Sequence, residues 1–275
     1  MTWWAVDLTG EPADREAAWA WLVAATGHAV EERADGTLTG FAADRAAAEA
    51  TMRAAVTMFA DRVTVSLREV EPVDWSVRWR DGIGIRHVGR LVLVPSWLPI
   101  PAVSSYVVID PEMAFGSGEH GSTRGALALL ERLLHSGDFV LDLGSGSGIL
   151  AIAAVRLGAR GAIGIEIDPE ANPVAERNAE RNAVSEQVRF LEGDAQELAP
   201  LAGPADIVVS NILRGPNIQL LPAIRAALRP GGQAIFAGME TPEAELFRPE
   251  LEKAGFLPGA EVVDDGWWSI AATRP

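Results

Sequence analysis

The run Val140-Leu141-Asp142-Leu143-Gly144-Ser145-Gly146-Ser147-Gly148-Ile149-Leu150 decides the fold of this chain. Phe139–Leu143 is apolar without a helical period and reads as a buried strand. The glycines make a tight turn, and an apolar helix from about Ile149 to Leu157 follows. Strand, turn and helix form half of a βαβ unit, whose glycines are expected to let backbone N–H groups approach a ligand at the helix N-terminus. The order Gly-Ser-Gly-Ser-Gly is out of register with the dinucleotide fingerprint G-x-G-x-x-G. The next predicted strand, Ala162–Ile167, ends in Glu166-Ile167-Asp168-Pro169 and places a carboxylate 22 residues after Gly144. That carboxylate stands at a strand tip, where it can accept both hydroxyls of a ribose. The stretch reads as a nucleoside-binding site rather than as an ordinary turn beside a solvated acid.

The residues that follow repeat the alternation. A helix is predicted from Pro169 to about Asn182, and a third strand over Gln187–Leu191 ends in Gly193-Asp194. A fourth strand, Asp206–Ser210, ends in Asn211-Ile212-Leu213; a helix spans Pro216 to Leu228, and a fifth strand covers Gln233–Ala237 after Pro230-Gly231-Gly232. Thr241–Ala254 is helical with Pro249 as a kink or break. Phe256–Val263 and Trp267–Ala272 pair through Asp264-Asp265-Gly266. The pattern predicts an α/β, Rossmann-like, seven-stranded domain: a parallel sheet covered on both faces, with one antiparallel strand. Gly144, Glu166, Asp194 and Asn211 all fall at carboxyl ends of strands, where such sheets bind ligands.

Before the glycine turn, a short strand at Tyr106–Ile109 leads into Asp110-Pro111-Glu112-Met113-Ala114-Phe115-Gly116-Ser117-Gly118-Glu119-His120-Gly121-Ser122-Thr123, and an apolar helix covers Thr123–Leu134. Three glycines in six residues, one aromatic and a closing hydroxyl describe a loop over a pocket, with Phe115 at its centre. His120 is either a base or a structural residue at a helix start.

Residues 1–70 read as a small ferredoxin-like α+β domain preceding the large one. Trp3–Leu8 is a strand; Asp14–Ala25 is a helix with Trp19, Leu22 and Val23 on one face; Ala29–Arg33 and Thr37–Phe41 flank an Asp35-Gly36 turn. Asp44 caps a helix to about Phe59 with Met52, Ala55 and Phe59 inward, and Val63–Val70 closes the unit. Residues 71–101, with Pro72, Pro95, Pro99, Pro101, Trp75, Trp79 and Trp97, read as a linker packed by tryptophans, with a helix at Val73–Arg80 and a hairpin within Ile83–Val94. Residues 102–275 form the large domain.

The chain has 275 residues, 48% of them hydrophobic, and no cysteine, which excludes disulfides and thiolate chemistry. Its 38 acidic and 23 basic residues give a net charge of −15, which argues against a primary nucleic-acid binder and suits a basic partner. No apolar run approaches the length of a membrane span, and the N-terminus lacks a signal-peptide pattern, so a cytoplasmic location is expected. Four scattered histidines offer no recognisable metal site.

Asp-x-Gly-x-Gly-x-Gly, an acid at the second strand tip, Gly-Asp at the third and Asn at the fourth resemble the class I S-adenosylmethionine-dependent methyltransferases. Asp110-Pro111-x-Met113-Ala114-Phe115-Gly116-x-Gly118-x-His120-x-x-Thr123 and Val209-Ser210-Asn211-Ile212-Leu213 further resemble the PrmA family, which methylates ribosomal protein L11 of the large-subunit stalk base. The resemblance covers roughly residues 72–275; the first 70 match in architecture, as the domain that recognises the substrate protein in that family. It implies S-adenosylmethionine as cofactor, with contacts at Thr123, Gly144, Glu166 and Asn211; Gly146 in the turn and Asp194, which is not a fixed feature of the family, are the further candidate contacts. It implies catalytic roles for Asn211 and Phe115, and methylation of lysine ε-amines and an N-terminal α-amine of L11. Position 166 departs from the family's usual aspartate, but glutamate keeps both acceptor oxygens. On this reading neither direct nucleic-acid contact nor a membrane is required. A methyltransferase for another protein or a small amine, and a cofactor-binding module without catalysis, are the competing readings.

Overall fold

The computed structural model describes residues 3–10, 12–26, 30–33, 36–59, 62–70, 80, 82–112 and 114–275. Ala29, Asp35, Pro72, residues 73–79 and Met113, each part of an expectation above, lie outside the described residues. The chain divides into two compact units, Met1–Arg78 and Trp79–Pro275.

The first unit runs β1 (Trp3–Gly10), α1 (Pro12–Thr26), β2 (Glu31–Glu32), β3 (Leu38–Ala42), α2 (Arg45–Phe59) and β4 (Val63–Val70). Its antiparallel sheet has the order β2-β3-β1-β4, the split βαββαβ arrangement. Val6 and Leu8 of β1 pack with Ala18, Leu22, Ala55 and Phe59 of the helices. Asp44 caps α2 by accepting the Ala47 N–H (2.8 Å). Trp19 and Val23 are each 38% exposed rather than inward. The buried stripe of α1 is Ala18 and Leu22, one turn apart, and Trp19 and Val23 are each rotated about 100° from it. Asp7, which alternates to the face opposite Val6 and Leu8, is buried and accepts bonds from Thr39 (2.6 Å), Arg68 (2.8 Å) and Arg33 (3.3 Å).

In the second unit the hairpin expected within Ile83–Val94 is β5 (Arg86–Val88) and β6 (Leu91–Val94). β6 also pairs in parallel with β7 (Tyr106–Val108), and Leu91 and Leu93 are buried in the same core as Leu127 and Leu130. Residues 86–94 are therefore sheet rather than linker, because their alternate side chains are core.

The main sheet follows: α3 (Gly121–Leu133), β8 (Phe139–Leu143), α4 (Ile149–Leu157), β9 (Gly161–Glu166), α5 (Ala171–Arg181), β10 (Val188–Glu192), α6 (Ala195–Ala202), β11 (Ala205–Asn211), α7 (Arg214–Ala227), β12 (Leu228–Glu240), α8 (Ala244–Lys253), β13 (Leu257–Asp264) and β14 (Trp267–Thr273). The strand order is β10-β9-β8-β11-β12-β14-β13, parallel except for the antiparallel pairs that β14 makes with both neighbours. Strand residues alternate between two cores: Val140, Ala162, Ile207, Val209 and Ile235 on one face, Leu141, Leu143, Ile165, Val208 and Phe236 on the other. α6 is absent from the sequence expectation, and α8 continues through Pro249.

Candidate active site

β8 is bordered by β9 on one side and β11 on the other, so the strand order reverses there and leaves a crevice at the carboxyl ends. A cavity of about 630 Å³ occupies it. Phe115, Gly144, Gly146, Glu166, Asp194 and Asn211 line this cavity, together with His120, Asp168, Leu213 and Trp267. Thr123 lies one layer behind, fully buried, where its hydroxyl accepts a bond from Asn211 Nδ2 (3.3 Å). Asp194 is exposed and also caps α6 by accepting the Gln196 N–H (2.8 Å).

The glycine-rich turn departs from expectation. Its N–H groups are bonded within the protein: Gly144 to Ile165 O (2.8 Å), Gly146 to Glu166 Oε2 (2.9 Å), Ser147 to Phe115 O (2.9 Å) and Gly148 to Ser145 O (2.8 Å). At the start of α4 the Ala151 N–H donates to Asp142 Oδ2 (3.1 Å). A carboxylate already occupies the place that a phosphate takes in a dinucleotide fold. The glycines act through what they lack: a Cβ on Gly146 would stand 2.6 Å from Phe115 O, and one on Gly144 2.6 Å from Ile212 Cγ2. Both residues also have positive φ, +71° and +50° for Gly144 and Gly146.

Asp142 is fully buried, and its Oδ1 has no hydrogen-bond partner among the described residues. Burial pushes its carboxyl up to about 7, against the Ala151 N–H bond, which favours the anion; the nearby Glu166 adds to the rise.

Glu166 is half-buried and held by three amides. Its Oε1 accepts from Ile167 N–H (2.8 Å) and Asp168 N–H (3.0 Å), and its Oε2 from Gly146 N–H (2.9 Å). A carboxylate oxygen accepts about two such bonds, so Oε1 is filled and Oε2 keeps one free position. The side chain therefore keeps one acceptor position open toward the cavity. Apolar Ile165, Ile167, Ala171 and Leu220 line the cavity beside it. One hydroxyl acceptor, apolar walls and no free phosphate donors in the turn fit a nucleoside without a pyrophosphate.

On the other side stands Asn211, 9% exposed at the end of β11. Its Nδ2 is engaged by Thr123, while its Oδ1 is buried and has no partner among the described residues. Asn217 braces the following residues, donating from Nδ2 to Ile212 O (2.8 Å) and Ala237 O (3.0 Å). Phe115 is 55% exposed on the cavity rim. Its loop is pinned to the glycine turn by the Ser147 N–H and by Ser147 Oγ donating to Gly116 O (2.7 Å). His120 lies between Phe115 (centroids 5.3 Å apart) and Trp267 (4.1 Å). Trp267 escaped the sequence reading, although a tryptophan directly after the Asp264-Asp265-Gly266 turn is the available signal. Among the described residues no group of His, Cys, Asp and Glu is arranged to hold a metal ion, and no helix is long and apolar enough to cross a membrane.

This strand order, with an apolar-walled cavity at its switch point and a helix start already capped by an aspartate, is that of a class I S-adenosylmethionine-dependent methyltransferase. Known proteins narrow the class. The profile of the ribosomal protein L11 methyltransferase (PrmA) family matches residues 14–275. The ribosomal protein L11 methyltransferase of Thermus thermophilus is 42% identical over 206 residues, 75% of this chain and 80% of that protein. That of Vibrio cholerae is 41% identical over 202 residues, 71% of this chain and 67% of that protein. The crystal structure of the ribosomal protein L11 methylase of Lactobacillus delbrueckii subsp. bulgaricus superposes with a TM-score of 0.63 at 29% identity, covering 70% of this chain and 98% of that one. This chain belongs to the ribosomal protein L11 methyltransferase (PrmA) family.

Proposed function

We propose that this protein transfers methyl groups from S-adenosylmethionine to amines of ribosomal protein L11, lysine ε-amines and the N-terminal α-amine included. The observation that carries the reading is Asn211 Oδ1, a buried acceptor without a partner among the described residues, in a residue that lines the cavity. Such an atom is costly unless a donor arrives, and an amine N–H is a donor of the right kind. When bound, S-adenosylmethionine supplies a methyl group already activated on a sulfonium, so the protein's part is orientation and electrostatics.

Glu166 Oε2 accepts a ribose hydroxyl. Asn211 Oδ1 accepts an amine N–H and aims the nitrogen lone pair, with Thr123 fixing the amide. Phe115 covers the reacting groups and excludes water. Gly144 and Gly146 let the ligand approach the backbone, and Asp194 adds a polar contact at the third strand tip. Residues 1–70 recognise the protein acceptor and residues 102–275 carry the chemistry, with the 86–94 hairpin built into the core of that large unit. The net charge of −15 suits a basic acceptor such as the stalk-base protein. The work is done in the cytoplasm and needs neither direct nucleic-acid contact nor a membrane.

The test is incubation with S-adenosylmethionine and purified L11, followed by mass spectrometry of the acceptor. Successive one-methyl increments on lysines are expected, and a chain lacking residues 1–70 should bind cofactor but leave L11 unmodified. Absence of any increment with the full chain refutes the assignment of substrate; full activity of the shortened chain refutes the division of labour.

A further inference from the structure

An amine acceptor arrives as an ammonium, with a free pKa of ~10.4 for lysine, and every methyl transfer needs a neutral nitrogen. Asn211 can accept a hydrogen bond but cannot hold a proton, so the proton needs another destination. His120 is the histidine that lines the cavity. Its Nδ1 lies 2.7 Å from the Oγ of the buried Ser122, and among the described residues Nε2 has no hydrogen-bond partner. Phe115 and Trp267 hold the ring from two sides, with interplanar angles of 72° and 54°. The backbone ties this ring to the amide opposite: Thr123 N–H donates to His120 O (3.1 Å), and the Thr123 hydroxyl holds Asn211. One helical turn thus fixes an acceptor for the amine's hydrogen bond and a lone pair for its proton. We infer that His120 Nε2 takes the proton from the acceptor ammonium before each methyl transfer, an inference that rests on the proposed methylation of amines.

In this step one N–H bond of the ammonium breaks and its proton passes to the Nε2 lone pair. The freed nitrogen pair is then the nucleophile. The imidazolium returns its proton to solvent, which the half-buried ring reaches. The step uses the tautomer in which Nδ1–H donates to Ser122 Oγ.

The surroundings keep the base neutral and ready. Burial lowers the pKa of His120, the Arg124 guanidinium lowers it further, and Asp265 opposes both. The other charges at this corner are paired. Asp264 accepts from Arg124 Nε (2.8 Å) and Nη2 (2.7 Å), while Glu119 accepts from Arg86 Nε (2.7 Å) and Gly84 N–H (3.0 Å). Arg124 also donates to Glu119 O, so one side chain clasps the loop to the β13–β14 turn and sets the field at the imidazole.

The experiment compares the full chain with its His120→Phe, His120→Ala and Arg124→Gln variants, using purified L11 and S-adenosylmethionine across pH 6 to 10. His120→Phe keeps an aromatic ring between Phe115 and Trp267 while removing the proton acceptor. Cofactor affinity should stay unchanged in calorimetry, which also reports that the variants are folded. The rate for His120→Phe should fall by about 10²-fold near neutral pH, the low end of general-base contributions, and recover as solvent deprotonates the amine at high pH. Added imidazole should restore part of the His120→Ala rate. Arg124→Gln should move the acid limb of the profile to higher pH, an effect that a packing role would not produce. A loss for His120→Phe that is the same at every pH, or no loss, overturns the inference and leaves the methyltransferase reading intact. A wild-type chain that methylates no amine of L11 overturns both.

Discussion

The buried carboxylate at the heart of the sheet makes a sharp prediction for Asp142→Asn. In the folded chain Asp142 titrates at about 7 instead of its ordinary 3.8, because burial penalises the anion. The folded state therefore holds a proton at this position that the unfolded chain has already released, and stability falls as pH rises between those two values. The slope is at most about 1.4 kcal/mol per pH unit, and the full difference approaches about 4 kcal/mol above the folded titration point. Asparagine can still accept the Ala151 N–H that Asp142 Oδ2 accepts at 3.1 Å, and it carries no charge to bury. Urea denaturation of wild type and variant from pH 4 to pH 9, followed in the large unit by tryptophan fluorescence, isolates the effect, since every other titrating group is common to both. The variant should gain on the wild type steadily across pH 4 to 7 and then hold a constant lead. In Tm this corresponds to roughly 2–4 °C for each kcal/mol. Parallel stability curves at all pH values would show that Asp142 titrates normally, and the account of it as a buried helix cap would fail.

Two further outcomes follow from the cavity. Glu166→Ala should weaken S-adenosylmethionine binding by about 1.5–3 kcal/mol, the value of one charge-assisted hydrogen bond, or roughly ten- to a hundredfold in Kd. Calorimetry checks it, and unchanged affinity would mean that the ribose is held elsewhere. Gly146→Ala should abolish cofactor binding and lower stability by a few kcal/mol, on the order of the strain from a positive φ and a Cβ 2.6 Å from Phe115 O. A thermal melt and a binding isotherm that match the wild type would refute the claim that this turn is closed to side chains.

The elements of the large unit were legible because the parallel strands are short apolar runs between glycines and prolines. Ile149–Leu157 and Phe139–Leu143 begin and end where their sequences change character. The strand-tip residues were legible for the same reason: once strand ends are known, Glu166 and Asn211 have one place to go. Hydrogen-bond bookkeeping was not legible. That Glu166 Oε1 is filled by two amides, and that Asp142 occupies the start of α4, depend on distances between residues that no spacing rule encodes. α6 was missed because Pro200 interrupts a short segment whose amphipathic period is too brief to stand out. On α1, the face that Trp19 and Val23 share with Leu22 in the sequence is not the buried one: the smaller Ala18 shares the buried stripe with Leu22. Trp267 comes to the site through the antiparallel return of β14, a topological fact invisible in its neighbours along the chain.

That return has a consequence for synthesis on the ribosome. β13 pairs with β14 and with no other described strand, and β14 is the later of the two to be made. Until residues 267–273 leave the exit tunnel, β13 has nothing to join, and β12 presents an open edge beside the apolar side chains of Ile235 and Phe236. Chains emerge at about 5–20 residues per second, so a nascent large unit carries that unpaired edge for a finite interval. A premature stop anywhere in α8 or β13 makes the interval permanent. Such a product keeps β8 through β12 and the turn around Gly146, but it is a template for intermolecular strand pairing, and its fate is aggregation or proteolysis rather than partial activity.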